Sequence, residues 1–180
     1  MSVGSRKRSV RYTGIDLALL AVTAVVSGVI FTANWTFYYV IEAFAGPIGA
    51  RLLTYGLWFI GAPLAASLVR KPGSALLGEF LGALVETLIA PQGGITNAIY
   101  GFAQGLASEV GYAVFLYRSW SLLPTALAGF LAGIPAVALD AILFEVVGTP
   151  FEMTLWVVAA GLSGLIYAVI ANLAVKNLRR

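Results

Sequence analysis

The chain has 180 residues, of which 60% are hydrophobic and 11% charged, with a formal net charge of +3. A mean hydropathy of +0.92 lies far from the balance of a soluble globular domain and identifies an integral membrane protein. Cysteine and histidine are both absent, which excludes disulfides, thiolate chemistry and the commonest metal ligand and proton shuttle.

The apolar segments are long and show no period-2 alternation, so helices are expected and a porin-like barrel is not. Six spans are predicted in a single domain over 1–180: about 15–33, 52–69, 74–90, 97–117, 121–144 and 153–175. The basic arm containing Arg6, Lys7, Arg8 and Arg11 precedes the first span, which is expected to be retained as a helix and not cleaved as a signal peptide. Between spans one and two, the segment from Asn34 to Phe44 is rich in aromatic residues and too short and polar to cross a bilayer. Trp35, Tyr38, Tyr39 and Glu42 there suit either an interfacial belt or a lid over the bundle. Pro72-Gly73-Ser74 opens span three and Pro91-Gln92-Gly93-Gly94 closes it. Span five holds Pro135, which predicts a kink.

With both termini cytoplasmic, all the basic residues except Arg51 fall on the inner side: Arg6, Lys7, Arg8, Arg11, Arg70, Lys71, Arg118, Lys176, Arg179 and Arg180. Shifting the count by one span scatters them over both faces. The parse and the orientation therefore support each other.

Acids inside the apolar runs are the chemical signal. Glu79, Glu86, Gln104 and Glu109 lie between Arg70 and Tyr112 in apolar runs that hold no basic residue, and burying such groups costs several kcal/mol unless they are paired, hydrogen-bonded or protonated. Counting ~1.5 Å per residue from the outer ends of spans three and four puts Glu86 about 6 Å and Gln104 about 10 Å deep, with Glu79 about 16 Å and Glu109 about 18 Å deep. Glu86 and Gln104, with Asn97 and Tyr100 on one stripe of span four, are expected to form an outward pocket with Tyr55, Trp58, Asp140 and Trp156. Glu79 and Glu109 are expected to hold the bundle together, either protonated or hydrogen-bonded to Ser or Tyr on a neighbouring helix. Glu145, near the outer end of span five, is a weaker ligand candidate.

Small residues recur at four-residue spacing, as in Ala24 and Gly28, Gly61 and Ala65, Gly78 and Gly82, and Gly129 and Gly133, which suits close helix packing. Ala18, Ala21, Ala24 and Gly28 give the first helix a smooth face that could instead meet another membrane protein. The chain has no phosphate-binding loop, no His-Glu-x-x-His and no Gly-x-Ser-x-Gly, so no catalytic residue, cofactor or metal site is assigned and no enzyme is expected.

Leu57-Trp58-Phe59-Ile60, Ala66 through Arg70-Lys71-Pro72-Gly73, Gly78-Glu79, Ala83-Leu84-Val85-Glu86, and Gly101 through Gln104-Gly105-Leu106-Ala107-Ser108-Glu109 carry a resemblance. They are similar to the substrate-binding S component of energy-coupling factor (ECF) transporters, and within that group to the YkoE family, associated with thiamine and its hydroxymethylpyrimidine precursor. The resemblance implies an all-α, six-helix subunit of a prokaryotic cytoplasmic membrane, with a first external loop capping the pocket. It further implies a transmembrane coupling protein and two ATPases as partners, met through a small-residue face of the first helix, here Ala21, Ala24 and Gly28. Lipid is the remaining neighbour and no nucleic acid is expected. A proton- or sodium-coupled carrier, and a scaffold that transports nothing, are the other classes open to the sequence.

Overall fold

A computed structural model describes residues 11–90 and 92–178. Arg6, Lys7, Arg8, Pro91, Arg179 and Arg180 lie outside the described residues. Every regular element among those described is helical: α1 (Gly14–Thr54), a 3₁₀ turn (Tyr55–Phe59), α2 (Gly61–Val69), α3 (Ser74–Ile89), α4 (Ile95–Ala113), α5 (Leu122–Phe144) and α6 (Pro150–Leu178). Three helical segments, Gly14–Val69, Leu122–Phe144 and Pro150–Leu178, are long and apolar enough to cross a membrane.

Thr13 starts α1 with a capping box: its hydroxyl accepts the Asp16 N–H at 3.3 Å, and the Asp16 carboxylate accepts the Thr13 N–H at 2.7 Å. The helix then runs well past residue 33, because no Gly or Pro interrupts it before Gly46. The 34–44 segment is therefore a helical extension of α1, which corrects the loop expected between the first two spans. At Gly46 the backbone turns to φ 66°, ψ −177°, a conformation essentially restricted to glycine, and Pro47 restarts the helix after it.

The second expected span, 52–69, is not one helix. The α1 tail ends at Thr54, a 3₁₀ turn follows, and only Gly61–Val69 is α-helical. These pieces occupy the middle of the molecule, where Ala62, Ala65 and Ala66 have no exposed surface. Around them α1, α3, α4, α5 and α6 form a ring that closes where α6 meets the 3₁₀ turn and α1. The outer faces stay apolar, with Val22, Val25 and Val29 of α1 and Ile166 and Ile170 of α6 exposed. Pro124 sits in the first turn of α5, and α5 continues through Pro135 as one helix.

Small residues bring the ring together. Gly129 of α5 and Gly164 of α6 each face the other's carbonyl oxygen so closely that a side chain on either has no room. Gly78 of α3 does the same against Gly61 and Ala65 of α2. Ala24 is buried, and a Cβ on Gly28 would lie 2.5 Å from Val85 of α3, so both face the interior of the bundle. That corrects their assignment as an outward partner face; Ala21 alone of the three is exposed.

At one end of the ring Lys71 pairs with Asp16 at 2.6 Å and donates to the Arg11 carbonyl at 2.7 Å, while the Tyr12 hydroxyl donates to the Pro72 carbonyl at 2.8 Å. Glu109 of α4 reaches the same end and accepts the N–H groups of Gly73 (2.6 Å), Ala75 (3.0 Å) and Leu76 (3.1 Å). These are first-turn donors of α3 with no intrahelical acceptor, so Glu109 caps a helix that is not its own. Glu109→Ala should cost about 2–3 kcal/mol, read as a lower unfolding temperature in detergent; an unchanged melting curve would remove Glu109 from the fold's supports.

Candidate functional site

At the end of the ring opposite Lys71 lies a cavity of about 610 Å³, inside the ~300–1,000 Å³ common for small-molecule sites. The α1 extension supplies Trp35, Tyr38, Tyr39 and Glu42; the 3₁₀ turn supplies Tyr55 and Trp58; α3 supplies Glu79 and Glu86; α4 and the connection before it supply Gln92, Asn97, Tyr100 and Gln104; Asp140 and Trp156 come from α5 and α6. All the residues expected around an outward pocket thus line one cavity. Glu145 is exposed and is not among its lining residues.

The aromatic wall is continuous. Trp35 and Trp58 meet edge to face with centroids 5.0 Å apart, and Tyr38 lies 5.7 Å from Trp58 and 6.0 Å from Tyr55. Such rings present negative faces to whatever occupies the space between them. Their polar atoms are spoken for by the scaffold: Trp58 Nε1 donates to the Phe31 carbonyl at 3.1 Å, and the Tyr38 hydroxyl to Glu42 at 2.8 Å. Asn97 is similarly engaged, donating to the Gln92 carbonyl at 3.0 Å.

Charge is unevenly spread. Among the described residues, Glu42, Glu79, Glu86 and Asp140 line the cavity against a single guanidinium, that of Arg51. Arg51 is 2% exposed and pairs with Asp140 at 3.2 Å, and its guanidinium stacks 4.6 Å above the Trp156 ring. Asp140 also accepts the hydroxyls of Tyr55 (2.6 Å) and Tyr100 (2.8 Å). Its carboxylate therefore ties α1, the 3₁₀ turn, α4 and α5 together, which makes Asp140 part of the cavity frame more than a free ligand contact. Sequence reasoning singled out Arg51 only as the exception to the basic-inside pattern. That exception was the available signal, since a lone cation on the apolar side calls for a buried acid.

Among the described residues Glu86 forms no ion pair; its Oε1 accepts Trp35 Nε1–H at 2.9 Å. Glu79 overturns the expected division by depth. It is fully buried, yet it lines the cavity, and its Oε2 accepts not a Ser or Tyr hydroxyl but the backbone N–H of Ala62 at 2.8 Å. That N–H is a free donor because α2 begins just before it. Glu79 Oε1 has no partner.

A family model described as the ABC-type cobalt transport system, permease component, matches residues 15–135. The chain belongs to this permease-component family. Its fold is that of an ECF-transporter S component: a crystal structure of one superposes with a TM-score of 0.85 at 27% identity, covering 94% of this chain and 86% of that one. A Bacillus subtilis protein, YkoE, named as a candidate HMP/thiamine permease, is 31% identical over 125 residues, which is 69% of this chain and 62% of that relative's length. Family membership makes this a multi-pass protein of the cell membrane.

The Arg51–Asp140 pair of this permease component gives a direct test. Asp140→Asn leaves a buried guanidinium without a counter-charge and should cost about 3–5 kcal/mol of stability, whereas replacing Arg51 by Met and Asp140 by Leu together should cost much less. Thermal unfolding of both variants in detergent decides it; equal losses would mean that the pair's charge is not what matters.

Proposed function

We propose that this chain is the substrate-capture subunit of an ATP-driven vitamin importer, with six membrane crossings, both termini cytoplasmic and the cavity facing outward. Its ligand is thiamine or the hydroxymethylpyrimidine precursor, delivered through a transmembrane coupling protein and two ATPases. The observation that carries this reading is the pairing of an aromatic wall with an excess of carboxyl groups over cations in one cavity. Thiamine combines a permanently positive thiazolium with a flat aminopyrimidine, so it meets both halves of that lining. The permease name of the Bacillus subtilis relative supports the choice.

The family description mentions cobalt, but the donors here favour an organic cation. The chain has no His or Cys, and among the described residues no three Asp or Glu side chains converge as a metal site. A proton-relay carrier is disfavoured as well, because three backbone N–H groups hold both oxygens of Glu109, one of the two deep acids such a relay would use. On this reading the coupling protein meets the outer face of α1 at Ala21, since Ala24 is buried and Gly28 is covered by α3.

Reconstituted with its coupling protein and ATPases, the chain should take up thiamine only with ATP. Uptake in liposomes containing the chain alone would replace the capture-subunit reading with a secondary carrier. Glu86→Gln should lower thiamine affinity about tenfold or more and change affinity for the neutral hydroxymethylpyrimidine far less. Equal losses for both ligands in calorimetry would remove the charge argument.

A further inference from the structure

Charge divides the molecule by ends. Among the described residues, Arg11, Arg70, Lys71, Arg118 and Lys176 stand at the Lys71 end, in the segments that precede α1, join α2 to α3, join α4 to α5, or finish α6. At the cavity end the single described cation is Arg51, which is 2% exposed and committed to Asp140. Glu42, Glu86, Asp140, Glu145 and Glu152 share that end. The first three line the cavity; Glu145 and Glu152 are exposed and do not.

Both of these acids sit at the cavity rim. Glu145 falls between Phe144 and Val146, which line the cavity, and its backbone N–H donates to the carbonyl of the lining residue Asp140. Its φ of 56° lies in the left-handed region, where glycine is the usual helix-ending residue; this chain places a carboxylate there instead. Glu152 opens α6, and its Oε2 accepts the N–H and the hydroxyl of Thr149, each at 2.8 Å. A Cβ on Gly148 would lie 3.0 Å from that oxygen and 3.0 Å from Cη2 of the lining residue Trp156, so the carboxylate and the ring flank one glycine. The ion pairs among the described residues are Arg51–Asp140 and Lys71–Asp16, so neither rim acid is neutralised. The cavity they border carries an independent mark of a ligand: Glu79, fully buried among its lining residues, has an Oε1 without a partner among the described residues.

We infer that Glu145 and Glu152 form an electrostatic entrance that draws cationic ligands to the cavity mouth and raises their rate of capture, without touching the bound ligand. Exposed carboxylates are ionised at neutral pH, and charges of one sign around a cleft focus the field and speed the encounter with an opposite charge. The inference rests on the cationic-ligand reading and extends it from affinity to rate. Rim charges change association and its salt dependence, whereas buried contacts change dissociation, so the rim acids and Glu86 have separable effects. The basic end does not cancel this field: Lys176 lies about 36 Å from Glu152 along α6 at a helix's rise per residue, several times the ~8 Å over which physiological salt screens a charge.

Stopped-flow measurements on the purified full-length protein, read by fluorescence of the tryptophans that line the cavity, separate the two rates. For the wild type, thiamine association should slow about threefold or more between about 20 and 300 mM salt, with association of the neutral hydroxymethylpyrimidine unchanged. Glu145→Gln combined with Glu152→Gln should slow thiamine association about threefold at low salt, flatten its salt dependence, and leave dissociation and the neutral ligand unaffected. Glutamine at 152 keeps the capping box with Thr149. Lys176→Gln, a charge change at the far end, should alter neither rate. Should the double variant fail to fold, Glu145→Gly, which suits the left-handed turn, must slow thiamine association about twofold. Wild-type association insensitive to salt, unchanged association in the folded variant, a loss confined to dissociation, or equal slowing of the charged and neutral ligands overturns the inference and leaves thiamine capture standing. Binding of the neutral ligand alone, or of neither, ends the cation reading and the inference with it.

Discussion

Carboxylates inside an apolar bundle must meet donors, and in this protein Glu79 and Glu109 meet them in N–H groups freed where helices begin. Glu109 takes the first-turn amides of α3, and Glu79 takes the Ala62 amide at the start of α2. Neither arrangement works without a break in the chain. Pro72-Gly73 opens α3 beneath Glu109, and the 3₁₀ turn at Tyr55–Phe59 opens α2 beside Glu79. A continuous second span would have consumed its own amides in i→i−4 bonds and left Glu79 fully unpaired. The broken central segment and the buried acids of α3 and α4 are thus one design feature seen from two sides.

The cavity follows from where these breaks fall. Because α2 is short and starts deep in the ring, the space above it is filled by the 3₁₀ turn and by the α1 extension, both rich in aromatic rings. Gly46 and Pro47 turn the chain back so that Arg51 reaches Asp140. Buried ion pairs are weak contributors to stability, and this one is better understood as fixing which elements surround the cavity. Four segments meet at the Asp140 carboxylate, so displacing any of them disturbs the lining.

Much of this was legible in the sequence. The apolar runs, the breakers at Pro72-Gly73 and Gly93-Gly94, and the small-residue spacing all reappear in the helices and their contacts. Two misreadings share one cause, the assumption that a span is a uniform rod crossing a flat slab. The 34–44 segment looked too polar to continue a span, yet it contains no breaker, and a helix that leaves the apolar layer has no reason to stop there. Glu79 looked too deep for the cavity because depth was counted along α3 alone. Gly101 and Gly105 on α4 let that helix pack tightly against α3 at the level of Glu79, and the cavity lining there is made by several elements at once, a lateral fact that no single-helix count contains. The partner of Arg51 was hidden for a similar reason: Asp140 is 89 residues away, and nothing local to either residue announces the other.

Satisfied and unsatisfied acids now separate by role. Glu109 is fully used by the fold, and Asp140 by the frame of the cavity. Glu86 holds one indole, while Glu79 keeps an oxygen with no donor. An unmet acceptor in a buried site destabilises the empty protein, and a ligand that supplies the donor offsets that cost only while it is bound. Affinity and stability are therefore linked through the same oxygen. A change that quiets Glu79 in the empty state, by removing the carboxyl or supplying an internal donor, should make the free subunit more robust and the capture of its ligand weaker. A cavity lined by unmet groups is poised for binding because its empty form is the costlier one.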